Sequence, residues 1–257
     1  MKKILFALFI FTYALGFSQI DKLNSKEPLV KDPYFKKETN VAVQPGQKVR
    51  FIHSDLFERK PDMYGGNPFF TGNVQFEHQG AMLTADRVIF YEKENFAKAI
   101  GNVLLVTSDG NRITSNEMEY DGNTQRGIAR GKVVLTDAKQ TISTDVLYYD
   151  RVKNTAYFNS GGTINDGRNT MWTQSATYFI DSKTNEFTNN YTIDNAQYRV
   201  EGKNIKHYQN TNIAEFFGPT TIINKEKPSN YVYTENGKYL MNEKQVYLNK
   251  NSRIYYN

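Results

Sequence analysis

Cysteine is absent from the 257 residues, tryptophan occurs once and histidine three times. Without cysteine there is neither a disulfide framework nor a lipid-modified N-terminal cysteine. His53, His78 and His207 are scattered and show no HExxH or related ligand spacing, so no metal site is expected. A nucleophile elbow, a P-loop and a dinucleotide fingerprint are also missing. Neither an enzyme nor a cofactor-binding protein is expected. Long apolar runs are lacking beyond the first 19 residues, and Ile4 to Phe17 is shorter than the ~20 residues a spanning helix needs.

That N-terminal stretch follows Lys2 and Lys3 and ends at Gly16-Phe17-Ser18, with small residues three and one before Gln19. It reads as a secretory signal peptide over residues 1–18, cut between Ser18 and Gln19. Residues 19–47 mix Lys with Asp and Glu around Pro28, Pro33 and Pro45, and read as a flexible lead-in. Loss of Lys2 and Lys3 lowers the formal charge from +5 to +3. Such a balance suits a solvated surface and gives no reason to expect nucleic acid as a partner.

What the chain does have is a beat. Gly72-Asn73-Val74, Gly101-Asn102-Val103 and Gly131-Lys132-Val133 recur at 29 and 30 residues, with looser copies at Gly162-Thr163-Ile164 and Pro219-Thr220-Thr221-Ile222. Constant spacing of this size marks units that stack to bury a shared core. A second column is sharper: Leu83, Ile113, Ile142, Met171, Val200 and Val232 each open a comparable segment. Two positions on, the residues are small: Ala85, Ser115, Thr144, Thr173, Gly202 and Thr234. Five positions on they are mostly apolar, and seven positions on stand Phe90, Tyr120, Tyr149, Tyr178, His207 and Tyr239.

Offsets 0 and 2 share one strand face, and so do 5 and 7, but the odd step from 2 to 5 would put the two pairs on opposite faces of a regular strand. A bulge or a bend must therefore intervene, at the polar position held by Asp86, Asn116, Asp145, Gln174, Lys203 and Glu235. Each unit reads as two kinked strands joined by turns rich in Asn, Gly, Asp and Lys. The fold expected is all-β, a repetitive antiparallel sheet of about six two-strand units in one domain over 48–257. Asp55, Asp86 and Asp145 each follow a small residue, and a glycosidase uses such carboxylates; their recurrence at the corner favours a structural role. His78, just before a turn, reads as exposed. Gly72, Gly101 and Gly131 enter strands rather than helices, which argues against phosphate cradling.

The run Thr71-Gly72-Asn73-Val74-Gln75-Phe76, Gly80 to Val88, and Ala99-Ile100-Gly101-Asn102-Val103 resembles the OstA-like/LptA family of periplasmic lipopolysaccharide transport proteins. Val49 to Asp55 is similar to that family's entry strand, while the likeness loosens after Ile164. The resemblance implies a folded-over sheet, a β-jellyroll or β-taco, whose apolar trough takes the lipid A acyl chains of lipopolysaccharide. It also implies a non-enzymatic bridge protein of the periplasm, peripheral to the membranes, that pairs with itself or with other Lpt-type proteins through sheet edges.

Six units give about twelve rungs, and at ~4.8 Å per rung a trough of roughly 60 Å. Its expected lining is Phe51, Ile52, Val74, Phe76, Leu83, Val88, Phe90, Val103, Leu105, Ile113, Met118, Tyr120, Val133, Leu135, Ile142, Leu147 and Tyr149. The same columns also fit a closed sandwich core, and a Tyr hydroxyl, which needs a partner when buried, fits best near a trough mouth. Ser252 to Asn257 are strand-like and offer an edge for pairing. The soluble bridge component fits the length best, with a truncated or accessory paralogue as a second possibility. A secreted β-repeat module that binds glycans or proteins through outward Tyr148 and Tyr157 is the competing reading.

Overall fold

A computed structural model describes residues 48–257 except Lys244. The expectations for the signal peptide and lead-in lie outside the described residues. Among the described residues, eighteen strands form one antiparallel sheet. The first nine are β1 (Arg50–His53), β2 (Leu56–Glu58), β3 (Phe69–His78), β4 (Ala81–Tyr91), β5 (Phe96–Val106), β6 (Arg112–Asp121), β7 (Arg126–Thr136), β8 (Thr141–Asp150) and β9 (Thr155–Phe158). The rest are β10 (Gly162–Asn165), β11 (Thr170–Phe179), β12 (Thr184–Asp194), β13 (Tyr198–Gly202), β14 (Ile205–Tyr208), β15 (Ile213–Asn224), β16 (Tyr231–Leu240), β17 (Gln245–Leu248) and β18 (Arg253–Tyr255).

Ten of these strands run through a corner near their middle, and the other eight are four traverses broken in two at the same place. β1 and β2, for instance, pair with opposite halves of β3, as β13 and β14 do with β15. The corner folds the sheet into two walls, each fourteen rungs deep: the six segments read from the sequence and their return strands, preceded by the entry traverse β1/β2 and its return β3. At ~4.8 Å per rung that is about 60 Å.

The corner follows from the Gly-Asn beat. Where β4 meets β5, the register jumps between Thr84/Arg87 and Leu104/Ile100. Gly101 and Asn102 both take left-handed backbone, at φ +79° and +44°. A Cβ on Gly101 would lie 2.5 Å from Asp86 Oδ2, so only glycine fits against that carboxylate. Asn102 Nδ2 donates to the same oxygen at 2.9 Å, and Asn73 binds Asp55 identically one unit earlier. Asp55 and Asp86 are thus corner braces, the third acid, Asp145, has no such partner among the described residues, and a catalytic pair is not assembled from them.

The column of small residues does more than save space. Ser115 Oγ donates to Glu117 O at 2.8 Å, Thr173 Oγ1 to Ser175 O at 3.1 Å and Thr234 Oγ1 to Asn236 O at 2.7 Å. These hydroxyls satisfy carbonyls that the kink removes from the ladder, which would be costly to leave buried and unpaired. At Gly202 there is no space for a side chain; the hydroxyls of Tyr191 and Thr220, 3.1 Å apart, fill it.

A second, smaller core lies on the outside of one wall. Phe69, Ile89, Tyr91, Phe96, Ile100 and Ile128 are buried there, with Met63, Tyr64, Val146 and Tyr148 packed on them. Residues 59–68, which interrupt the first unit and include a single 3-10 turn (Tyr64–Gly66), supply part of this cover. Lys60 lies over the Phe69 ring at 5.7 Å and Arg59 pairs with Glu92 at 2.6 Å.

Candidate functional site

The faces that the two walls turn toward each other carry the apolar columns. Val74, Phe76, Leu83, Val88, Val103, Leu105, Ile113, Met118, Tyr120, Val133, Leu135, Ile142, Leu147 and Tyr149 are all buried in one continuous cluster, with Phe90 half-buried against it. Phe51 is 43 % exposed at the rim, yet its ring stacks on Phe70 at 4.6 Å and meets Phe76 edge-on at 5.6 Å. Ile52 departs from expectation. It is the extra residue where the β1–β3 register shifts between Phe51 and His53, and it stays 41 % exposed outside the cluster. Neighbours on a strand cannot both face inward unless a bulge turns the second one, and this bulge does not.

The rings of the aromatic column fit because small residues sit between them. Phe90 and Tyr120 both face Ala97, Tyr120 and Tyr149 both face Gly127, and Tyr149 and Tyr178 both face Ala156. Rings therefore occupy alternate rungs from Phe90 to Tyr178, with an Ala or Gly on each rung between, and Asn185 takes that place between Tyr178 and His207. This small column is equally periodic in the sequence, on the return strands, and its signal is Ala97, Gly127, Ala156 and Ala214 at steps of 30, 29 and 58 residues.

The interior is filled by its own side chains. The void among Phe76, His78, Leu83, Met118, Tyr120 and Tyr149 measures about 20 Å³, room for about one water and no more. Among the described residues the walls meet here as a closed core, with no ready-made channel for an acyl chain at this point.

Opposite the corner side, no ladder joins the walls among the described residues. They are fastened there by side chains that reach across. Arg151 donates to Gln79 O at 2.7 Å and Gln79 Oε1 at 2.9 Å. His78 Nδ1 lies 2.8 Å from the Tyr120 hydroxyl, so His78 is buried and engaged, contrary to the exposed position expected for it. The Tyr178 hydroxyl donates to Asp137, whose carboxylate also meets Lys183 Nζ at 3.4 Å. Asn185 Nδ2 donates to Gln140 Oε1 at 2.7 Å, and Lys139 Nζ to Asn210 Oδ1 at 2.8 Å. These partners stand 41 to 72 residues apart in sequence, so each rung of one wall meets a rung well beyond its own unit on the other. The walls cross obliquely, as the twist of so deep a sheet requires.

Burial pushes the Tyr149 phenol up to about 12 and raises Tyr120 and Tyr178 as well, so all three are neutral hydrogen-bonding groups. Burial alone would raise Asp137, but the Tyr178 hydroxyl, the amides of Lys139 and Gln140 and the Lys183 ammonium hold its carboxyl below the ordinary range. His207, the one imidazole in the aromatic column, is pushed down by burial, with Asp166 acting weakly the other way. Its Nδ1 and the Gln209 side-chain amide are buried without a hydrogen-bond partner among the described residues. Among the described residues no group of His, Asp and Glu has the arrangement to hold a metal ion, and no helix is long and apolar enough to cross a membrane.

A folded-over antiparallel sheet with apolar inner columns and a non-covalent seam defines a β-taco protein of the jellyroll type. The model of the OstA-like protein family matches residues 46–203, and the chain belongs to that family. A second family model, LptC-related lipopolysaccharide assembly, matches residues 174–256, the part where the Gly-Asn beat fades. The families matched are of transport and assembly proteins rather than enzymes. Among solved structures, that of LptH from Pseudomonas aeruginosa, titled the LptA homologous periplasmic component of the lipopolysaccharide transport device, is similar at a TM-score of 0.38 and 13 % identity. The match covers 40 % of this chain and 79 % of that one. No curated protein matches the chain.

Proposed function

We propose that this chain is a periplasmic bridge component that carries lipopolysaccharide toward the outer membrane, with lipid A acyl chains held between the two walls. Its domain is residues 48–257, exported by the signal peptide 1–18. One observation carries the reading: the apolar columns are continuous over the twelve rungs from β3 to β16, yet among the described residues the walls are held together along one side only by side-chain contacts. Parting that seam breaks no ladder hydrogen bond, and it opens two matched apolar faces. Acyl chains then replace the wall-to-wall contacts of Met118, Leu147 and their neighbours, apolar for apolar, so the exchange costs little and the lipid moves between similar adjacent sites.

Pairing with a partner has its own support. β17 and β18 pair only with β16, and β1 and β2 only with β3, so a sheet edge stands open at each end among the described residues. Because the walls are offset, the inner row Ile193, Val200, Ile222, Val232, Ile254 is progressively uncovered, and Ile254 is 70 % exposed. A second copy or another Lpt-type protein adding strands at β17 and β18 would continue both the ladder and the apolar row.

A photo-crosslinking residue at Met118 or Phe90, in purified protein mixed with lipopolysaccharide, should capture the lipid. Crosslinks absent there, with saccharide binding lost on changing Tyr148 or Tyr157, would favour the glycan-binding module instead. Those two rings do stand together outside the trough, 5.7 Å apart.

A further inference from the structure

The corners are alike in design but not in what they leave unused. Around the second corner, Asn73, Asp86 and Asn102 enclose a cleft of about 200 Å³, and the acids Asp55 and Asp86 are each consumed by an asparagine. The fourth unit has Ser160-Gly161-Gly162 in place of the Gly-Asn pair. Asp145 accordingly has no hydrogen bond or ion pair with any described residue. A Cβ on Gly161 would meet nothing closer than Gln174 at 3.8 Å, in contrast to the crowding at Gly101. The space released is an open groove of about 540 Å³ on the outer face, within the range of small-molecule sites.

The groove is lined by Lys132, Ser143, Asp145, Ser160, Trp172 and Gln174, among others. Trp172 is the only tryptophan in the chain and is 44 % exposed. Its rung neighbours are Thr163 and Thr192, too short to cover an indole. An open indole face beside an uncommitted carboxylate, an ammonium and a primary amide matches a polyhydroxylated ring. The C–H face of a pyranose stacks on the indole, its hydroxyls donate to Asp145, and they accept from Lys132 Nζ and Gln174 Nε2. Lys132 and Asp145 offset each other in charge, which favours a neutral sugar.

We propose that this groove is a saccharide-binding site for a hexopyranose ring, separate from the interior and independent of what the interior carries. The sugar has two possible sources, the carbohydrate part of a glycolipid and a free oligosaccharide, and two probes separate them.

Because Trp172 is the sole tryptophan, its emission reports on this groove alone. The full chain is titrated with deacylated lipopolysaccharide carbohydrate and, separately, with chitotriose. A saturable change with a dissociation constant of about 1 mM or tighter supports the site. Response to the first probe alone assigns the glycolipid sugar, to the second alone a free oligosaccharide, and to both a general saccharide site. Asp145→Ala should weaken binding about tenfold or more, and Asp86→Asn, at a closed corner, should not change it. Trp172→Ala, read by calorimetry, should abolish it. Both altered groove positions are exposed, and circular dichroism confirms folding. No saturable change with either probe up to about 20 mM, or binding that survives Asp145→Ala and Trp172→Ala in folded protein, overturns the proposal.

Discussion

Asp137 holds more of the seam than any neighbouring side chain: it accepts from the Tyr178 hydroxyl and the amides of Lys139 and Gln140 and faces the Lys183 ammonium. Asp137→Ala should destabilise the fold by about 1–3 kcal/mol in urea unfolding, since it takes the acceptor from the part-buried hydrogen bonds of the Tyr178 hydroxyl and the Gln140 amide. The carboxyl titrates lower folded than unfolded, so its contribution is present above the unfolded value near ~3.9 and disappears as pH falls through the folded one. His207 acts at milder pH. Its folded-state pKa is depressed by burial, so the unfolded chain takes up the proton first, and stability drops as pH falls below about 6.5 toward the folded value. The groups facing it include Asp166, whose charge limits the effect. His207→Phe, which copies Phe90 in the same column, should flatten the loss of urea midpoint between about pH 7.5 and pH 5.5. An unchanged slope would show that His207 is not the group responsible.

At the scale of the element, the corner explains both the sequence beat and its exceptions. Gly101→Ala places a Cβ against Asp86 and on left-handed backbone, and should cost about 1–3 kcal/mol. Combined with Asp86→Ala, part of that cost should vanish, because the clash is relieved while the backbone strain remains; a double-mutant cycle with no coupling would contradict the brace. The kink itself was legible from the odd step between Ala85 and Val88 and its recurrence. The role of Ser115, Thr173 and Thr234 was not, since a hydroxyl and a methyl look alike when only size is tracked. The corner at Asn189-Asn190 also escaped, because left-handed backbone there is taken by two asparagines, at φ +64° and +68°, in place of a glycine. Ile52 was placed inward by its apolar character, whereas strand alternation after Phe51 carries it outward and the local bulge does not turn it back.

For the whole molecule, periodicity tells which faces look inward but not how far apart they stand: the columns alone fit a closed core, and the family resemblance turned the expectation to an open trough. The structure holds the closed one, with a void of only about 20 Å³ at Met118 and Tyr120. Met118→Ala should therefore destabilise the protein by about 2–5 kcal/mol, as a packed core demands and an empty trough does not. The open edge at β18 makes a separate claim about assembly: a crosslinker at Tyr255 should trap a second copy or an Lpt-type partner, and monomer alone over a wide concentration range would count against edge pairing. The central claim is that lipid enters by parting the seam, and the absence of native cysteine allows it to be tested cleanly. Cysteines at Gln79 and Arg151, or at Lys139 and Asn210, joined by a short bis-maleimide, tie the walls where they already touch. Lipopolysaccharide capture at a photo-crosslinking residue at Met118 should fall sharply in the tied protein and return when the crosslinker is omitted. Equal capture with the seam tied and free would contradict the account.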